Sequence, residues 1–254
     1  MSGEVEFDRI APIYDETRQA PTDEELRVLV TEFEGCRTLL DAGVGTGRFA
    51  LPLHSLHFEI IGVDLSLEMM RRARVKGIDS LIRADVRRLP LSDDAVDGAF
   101  MAHVLQLIPD PRTVLAELGR IARRVVVVQL PEWSDSGPPG PWRRFRRRYR
   151  ELALELGYRL PERAQRFHHT LEELSAIAPP SAVHEVERPS TEASSLEDRL
   201  ARWEKRSLLG TPIPPEVHAE ILRRLRAELP IDPPPGRHAR KTRFLTWPSA
   251  TLRA

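Results

Sequence analysis

The sequence predicts an α/β fold, a doubly wound and mostly parallel sheet, and three observations predict it. Strand-length apolar runs alternate with amphipathic, helix-length stretches from residue 37 to residue 130. The run Val125-Val126-Val127-Val128-Gln129-Leu130 is uncharged and mostly β-branched, as a strand covered on both faces must be. The run Leu39-Leu40-Asp41-Ala42 breaks into Gly43, Gly45 and Gly47 before a helix-like continuation. A parallel strand joins a helix in this way where a ligand must approach bare backbone.

The elements follow in order. Residues 22 to 34 read as a helix, with Thr22 as N-cap, Glu25 three residues on, and Leu26, Leu29, Val30 and Phe33 on one apolar face. Strands are expected at 37–42, 58–64, 80–84, 95–102 and 124–130, alternating with helices at 47–56, 66–76 and 110–123. After Pro131 the texture changes. Residues 133 to 141 are rich in Gly, Pro and Ser and read as a loop, and Trp142, Phe145, Tyr149, Leu152 and Leu156 then recur at helical spacing. Thr170-Leu171-Glu172-Glu173 is a capping box for a further helix. Residues 182–187 and 242–247 alternate like half-buried strands, with helices expected at about 195–209 and 215–229 between them.

Composition narrows the function. A chain of 254 residues with 41% hydrophobic content makes one α/β domain with an embellishment, or two small domains. Formal net charge is zero, so no global field draws the chain to nucleic acid or membrane. Cys36 is the sole cysteine, which excludes an intrachain disulfide, a multi-cysteine zinc site and an iron–sulfur cluster. It precedes the first strand, away from the strand carboxyl ends where a nucleophile would be needed. No secretory leader opens the chain and no apolar run approaches the ~20 residues that span a bilayer. A cytoplasmic location is expected.

The glycine spacing is informative. Dinucleotide folds use G-x-G-x-x-G, whereas this loop is Gly43-x-Gly45-x-Gly47 with Arg48 in the place of the third glycine. No Lys and hydroxyl pair follows, so it is not a phosphate-cradling P-loop. Two further acids close strands downstream: Asp64, 21 residues after Gly43, and Asp85. A carboxylate at Asp64 can accept from both hydroxyls of a ribose. With Asp41, these acids and glycines resemble the class I S-adenosylmethionine-dependent methyltransferases, specifically the small-molecule, quinone-biosynthesis-like members of the type 11 domain. Phe7-Asp8-Arg9-Ile10-Ala11-Pro12-Ile13-Tyr14-Asp15-Glu16-Thr17-Arg18 is similar to their F-D-x-x-A-x-x-Y-D-x-x-R lead-in.

The resemblance implies a seven-stranded Rossmann-like sheet with an antiparallel edge strand and a helical insertion. It implies a helical lid over residues 1–36 and a cofactor core over 37–131. The C-terminal part, 132–254, belongs to the same domain and carries a helical substrate cap at about 190–235. S-adenosyl-L-methionine is the implied cofactor. Gly43, Gly45 and Gly47 would cradle its methionine half, with Asp41 positioning the loop and the amino group. Asp64 would hold the ribose, Leu65 and Met69 would bed the purine, and Asp85 with Val86 would read the adenine edge. Tyr14 and Arg18 would close the reacting end, Arg18 as a cation suited to a carboxylate.

His103 follows the fourth strand at the carboxyl edge of the sheet. There it reads either as a substrate-facing group that binds the acceptor or removes a proton, or as a packed histidine bonded to backbone. The arginines from Arg143 to Arg150 could grip phosphates with interleaved aromatics. Those aromatics fall on one helical face, however, which reads as core contact with a solvated arginine face. His168 and His169 are adjacent, point in different directions and make a poor metal pair, so no metal is expected. The expected function is methyl transfer to a small-molecule acceptor. The competing readings are an RNA or protein methyltransferase and a non-catalytic module that keeps the cofactor as a ligand.

Overall fold

The computed structural model describes residues 7–131, 141–159, 167–188, 213–228 and 240–253. The chain divides into two compact units, one of Met1–Glu132, Ala164–Arg188 and Lys241–Ala254, the other of Trp133–Arg163 and Pro189–Arg240.

The larger unit is built on β1 (Thr38–Ala42), β2 (Glu59–Asp64), β3 (Leu81–Arg83), β4 (Val96–Met101), β5 (Ala122–Pro131), β6 (Ala182–Arg188) and β7 (Arg240–Pro248). Its helices are α1 (Asp23–Glu32), α2 (Ala50–Ser55), α3 (Leu67–Val75), α4 (Pro111–Ile121) and, after the α5 described below, α6 (Leu171–Ile177). The sheet has seven strands in the order β3-β2-β1-β4-β5-β7-β6. β1 pairs in parallel with β2 and β4, β2 with β3, and β4 with β5, whereas β7 runs antiparallel to β5.

Period-two alternation sends neighbouring side chains to opposite faces, and both faces are filled. Leu40, Ala99, Met101, Val126, Val128, Leu245 and Trp247 pack with Val114, Leu118 and Ile121 of α4 and with Leu174 of α6. Leu39, Phe100, Val127 and Phe244, their chain neighbours, pack with Leu29 and Phe33, Ala50 and Leu53, and Met70 and Ala73 of the helical side that α1, α2 and α3 supply. A sheet covered this way explains the uninterrupted apolar run of β5.

Helix termini follow the expected chemistry. Thr22 and Glu25 form a reciprocal capping box at α1, and Thr170 and Glu173 form another at α6. One boundary differs from expectation. α4 passes directly into β5, because Ala122 already has extended backbone, so the strand begins two residues early. The last two strands close the edge of the sheet as expected, with the antiparallel β7 against β5 and β6 outermost. The side chains account for this. β7 carries the buried Phe244, Leu245 and Trp247, which need cover on both sides. β6 carries His184, Glu185 and Glu187, charged and polar groups that suit an edge strand.

In the second unit α5 (Pro141–Glu155) and α7 (Pro215–Glu228) share an apolar core of Phe145, Tyr149, Leu152, Ile221, Leu222 and Leu225. Tyr149 Oη and His218 Nδ1 lie 2.6 Å apart inside it. Phe145 and Tyr149 of the arginine-rich stretch therefore make core contacts, as their spacing suggests. Arg148 bridges Glu151, Glu155 and Glu228, which fixes its guanidinium in an ion-pair network. The loop expected at 133–141, apart from Pro141, and the helix expected at 195–209 lie outside the described residues. So does most of the expected cap. No described helix is long and apolar enough to cross a membrane.

Candidate functional site

The glycine loop is shaped by the strands on either side of it. Gly43 and Val44 both donate their N–H groups to the Val63 carbonyl, at 2.7 and 2.9 Å, so the loop leaves β1 still attached to β2. Gly43, Gly45 and Gly47 all have positive φ, where a Cβ is strained. At Gly43 a Cβ would also stand 2.1 Å from Val104 Cγ2, so only glycine lets the post-β4 segment close on the loop. At Gly45 a Cβ would meet nothing within 4 Å, which leaves open space over the backbone.

That space belongs to a cavity of about 610 Å³. Of the residues singled out in the sequence, Tyr14, Asp41, Gly43, Gly45, Asp64, Leu65, Met69, Asp85, Val86 and His103 line it. Gly47 and Arg18 lie outside the lining. Gly47 turns toward Leu51, Ala73 and Ile78, and the Arg18 guanidinium sits 5.1 Å from the Tyr14 ring centre. Sequence reasoning gave no role to Arg48, Ser66, Arg87 or Phe167, which also line the cavity. Arg48 was visible directly after Gly47. Phe167 carries no local signal, since only the tertiary fold brings it beside Gln106, whose carbonyl accepts its N–H.

Carboxylates dominate the electrostatics. Asp64 Oδ2 accepts from Gly45 N at 2.8 Å and Oδ1 from Ser66 N at 2.8 Å. Burial pushes the Asp64 carboxyl up, while the amides of Ser66, Gly45 and Leu65 pull it back. Asp41 is raised well above the usual carboxylate range, first by burial and then by the charge of Asp64, with Arg48 opposing. Asp85 is the opposite case. Arg87 Nε reaches both its oxygens at 3.0 Å and Nη2 reaches Oδ2 at 2.5 Å, and those bonds hold the Asp85 carboxyl below its usual range. His103 has φ +60, and its ring lies 6.1 Å from that of Phe49. Its carbonyl accepts from Gln106 Nε2 at 2.8 Å.

Two carboxylates tie the N-terminal segment to this frame. Asp8 Oδ1 accepts from Ser66 Oγ at 2.5 Å and from Glu68 N at 3.3 Å, at the start of α3. Asp15 accepts from Thr46 Oγ1 at 2.5 Å and pairs with Lys76 Nζ at 2.5 Å. Lys76 in turn donates to the Thr46 carbonyl at 2.9 Å. Both acids are fixed letters of the lead-in pattern, and the structure gives each a tethering role.

Comparison with known proteins agrees with this geometry. Residues 40–127 match the family described as a methyltransferase domain. The chain is 34% identical over 109 residues to a phosphatidylethanolamine N-methyltransferase of Cereibacter sphaeroides, covering 39% of the chain and 53% of that protein. It is 29% identical over 157 residues to the ubiquinone/menaquinone biosynthesis C-methyltransferase UbiE of Syntrophotalea carbinolica, covering 56% of the chain and 66% of that protein. The matches thus span about half to two thirds of these curated relatives. The fold is also that of the YcgJ protein of Bacillus subtilis, with 19% identity and a TM-score of 0.54 over 89% of this chain and 98% of that one. The domain match covers about a third of the chain and takes in Asp41, the glycine loop, Asp64 and Asp85.

Proposed function

We propose that this protein transfers a methyl group from S-adenosyl-L-methionine to a small-molecule acceptor. The observation that carries the reading is convergence: the glycine loop, Asp64 and Asp85 come from three strand ends and line one cavity. The residues fit the cofactor. Open space over Gly45 admits a ligand against backbone. Asp64 accepts from the Gly45 amide on one oxygen and from the Ser66 amide on the other, and a carboxylate has about four lone-pair sites, so it keeps acceptor capacity for ribose. Leu65 and Met69 offer the apolar bed, and Asp85 with the Val86 amide offers an acceptor and a donor for an adenine edge.

When bound, the cofactor supplies an activated methyl on a sulfonium, which is the difficult chemistry. The chain's own contribution is position. Aligning acceptor and methyl supplies much of the rate, and a lined cavity keeps water away. Asp41 would hold the amino group of the methionine half, with Gly43 and Gly45 forming its cradle. Tyr14 would close the reacting end, where His103 would hold the acceptor or take its proton. Small-molecule transfer is favoured by the apolar and aromatic lining of Phe7, Tyr14, Leu107, Ile108 and Phe167 beside His103. It is also favoured by the ion pairing that occupies Arg148 of the arginine stretch.

The test is radiolabelled methyl transfer into fractionated cell extract. Label in small metabolites is expected. Label in RNA or protein would overturn the acceptor class, and no label with intact S-adenosylhomocysteine binding would leave a non-catalytic binding module.

A further inference from the structure

We infer that Arg48 binds the carboxylate of the cofactor's amino-acid end, a role the N-terminal lead-in suggests for Arg18; this rests on the cofactor reading above. Among the described residues, the cavity lining contains two arginines, Arg48 and Arg87. Arg87 forks onto Asp85, at the end assigned to adenine. Arg48 stands directly after the glycine loop, at the end assigned to methionine, and its charge reaches Asp41.

Its guanidinium is held in place beforehand. It lies 5.3 Å from the Phe49 ring centre, and Nη1 donates to the Gln19 carbonyl at 3.1 Å. A guanidinium has five N–H donors in a fixed fork, so this bond and a two-pronged grip on a carboxylate are compatible. The amino-acid end of the ligand is a zwitterion. Asp41 and Arg48, on either side of the glycine loop, present the complementary groups, acid for ammonium and guanidinium for carboxylate. The other cations nearby are committed elsewhere. Arg18 stacks on Tyr14 outside the lining, and Lys76 is bound to Asp15 and to the Thr46 carbonyl.

Calorimetry with two ligands tests the assignment. S-adenosylhomocysteine has the amino-acid end, and 5′-methylthioadenosine has the same adenosine and thioether without it. Arg48→Ala is expected to weaken S-adenosylhomocysteine at least tenfold and to leave methylthioadenosine within twofold. Arg48→Lys, which keeps charge and loses the fork, should fall between. Arg18→Ala should leave both affinities within twofold. Equal losses for both ligands, no loss for either, or a selective loss in Arg18→Ala instead would overturn the inference. Should Arg48→Ala not fold, decarboxylated S-adenosylmethionine on the unaltered protein gives the same reading. It should bind at least tenfold more weakly than S-adenosylmethionine, and equal binding counts against a carboxylate contact. Failure of the unaltered protein to bind either nucleoside would instead sink the cofactor reading itself.

Discussion

The Gly45 N–H donates to Asp64 Oδ2 at 2.8 Å, so the acid that ends β2 also holds the tip of the loop that follows β1. A single side chain thus shapes the cradle and would meet the ribose. Asp64→Ala should therefore weaken S-adenosylhomocysteine binding by roughly 1.5–3 kcal/mol, the scale of hydrogen bonds to a charged group. It should also speed hydrogen exchange at the Gly45 amide. Asp64→Asn, which can still accept from Gly45, should slow that exchange again while recovering only part of the affinity. Unchanged affinity in Asp64→Ala would remove Asp64 from the ligand's contacts.

Gly43 is constrained twice, by φ +94 and by Val104. Gly43→Ala is expected to lower stability by about 1–3 kcal/mol from the backbone strain alone, with a further cost from the clash. Val104→Ala in the same chain should relieve the clash and not the strain. Urea denaturation of the two single variants and the double variant separates these contributions. Additive effects would mean that the two residues do not meet.

Asp41 links stability to pH. Its folded pKa lies above the ordinary 3.8, so the folded chain holds that proton more tightly than the unfolded chain. The stabilising contribution is complete below pH 3.8 and is lost as pH rises through the folded value. Asp41→Asn stays neutral throughout. It should be more stable than the unaltered chain at about pH 8, with the gap closing toward about pH 4, each tenfold change in proton affinity being worth about 1.4 kcal/mol. Denaturant titrations across that range check it, and a gap independent of pH would contradict it. The same variant should bind S-adenosylhomocysteine less tightly, a stability gain set against function.

Asp15 fastens the N-terminal segment through Thr46 and Lys76. The ion pair is half exposed, so Asp15→Ala should cost under about 1 kcal/mol of global stability. Its larger effect should be local. Proteolysis within residues 7–18 should accelerate, and the KM for the cofactor should rise more than kcat falls. Equal protease resistance in the two proteins would show that the tether is dispensable.

Much of the larger unit was legible because its signals are local. Apolar runs alternating with helix-length stretches gave the strands of the core, and Thr22 with Glu25 gave the start of α1. The acids Asp41, Asp64 and Asp85 could be placed on one rim because each follows an apolar run at a strand end. What escaped notice depends on distant pairing. Phe167 enters the lining from beyond a separate unit's segment. The tethers of Asp8 and Asp15 reach residues 58 and 31 positions away, which no window on the sequence samples.

The pairing of Val126 with Trp247 joins a strand from the middle of the chain to one from its far end. During synthesis, β5 must therefore present a bare apolar margin until the whole second unit and β7 have emerged. β6, made earlier, has no neighbour to join before then. Such a nascent sheet is an invitation to misassembly. Chaperone dependence, if the protein has it, should be concentrated in that interval and should vanish once residues 240–248 are supplied.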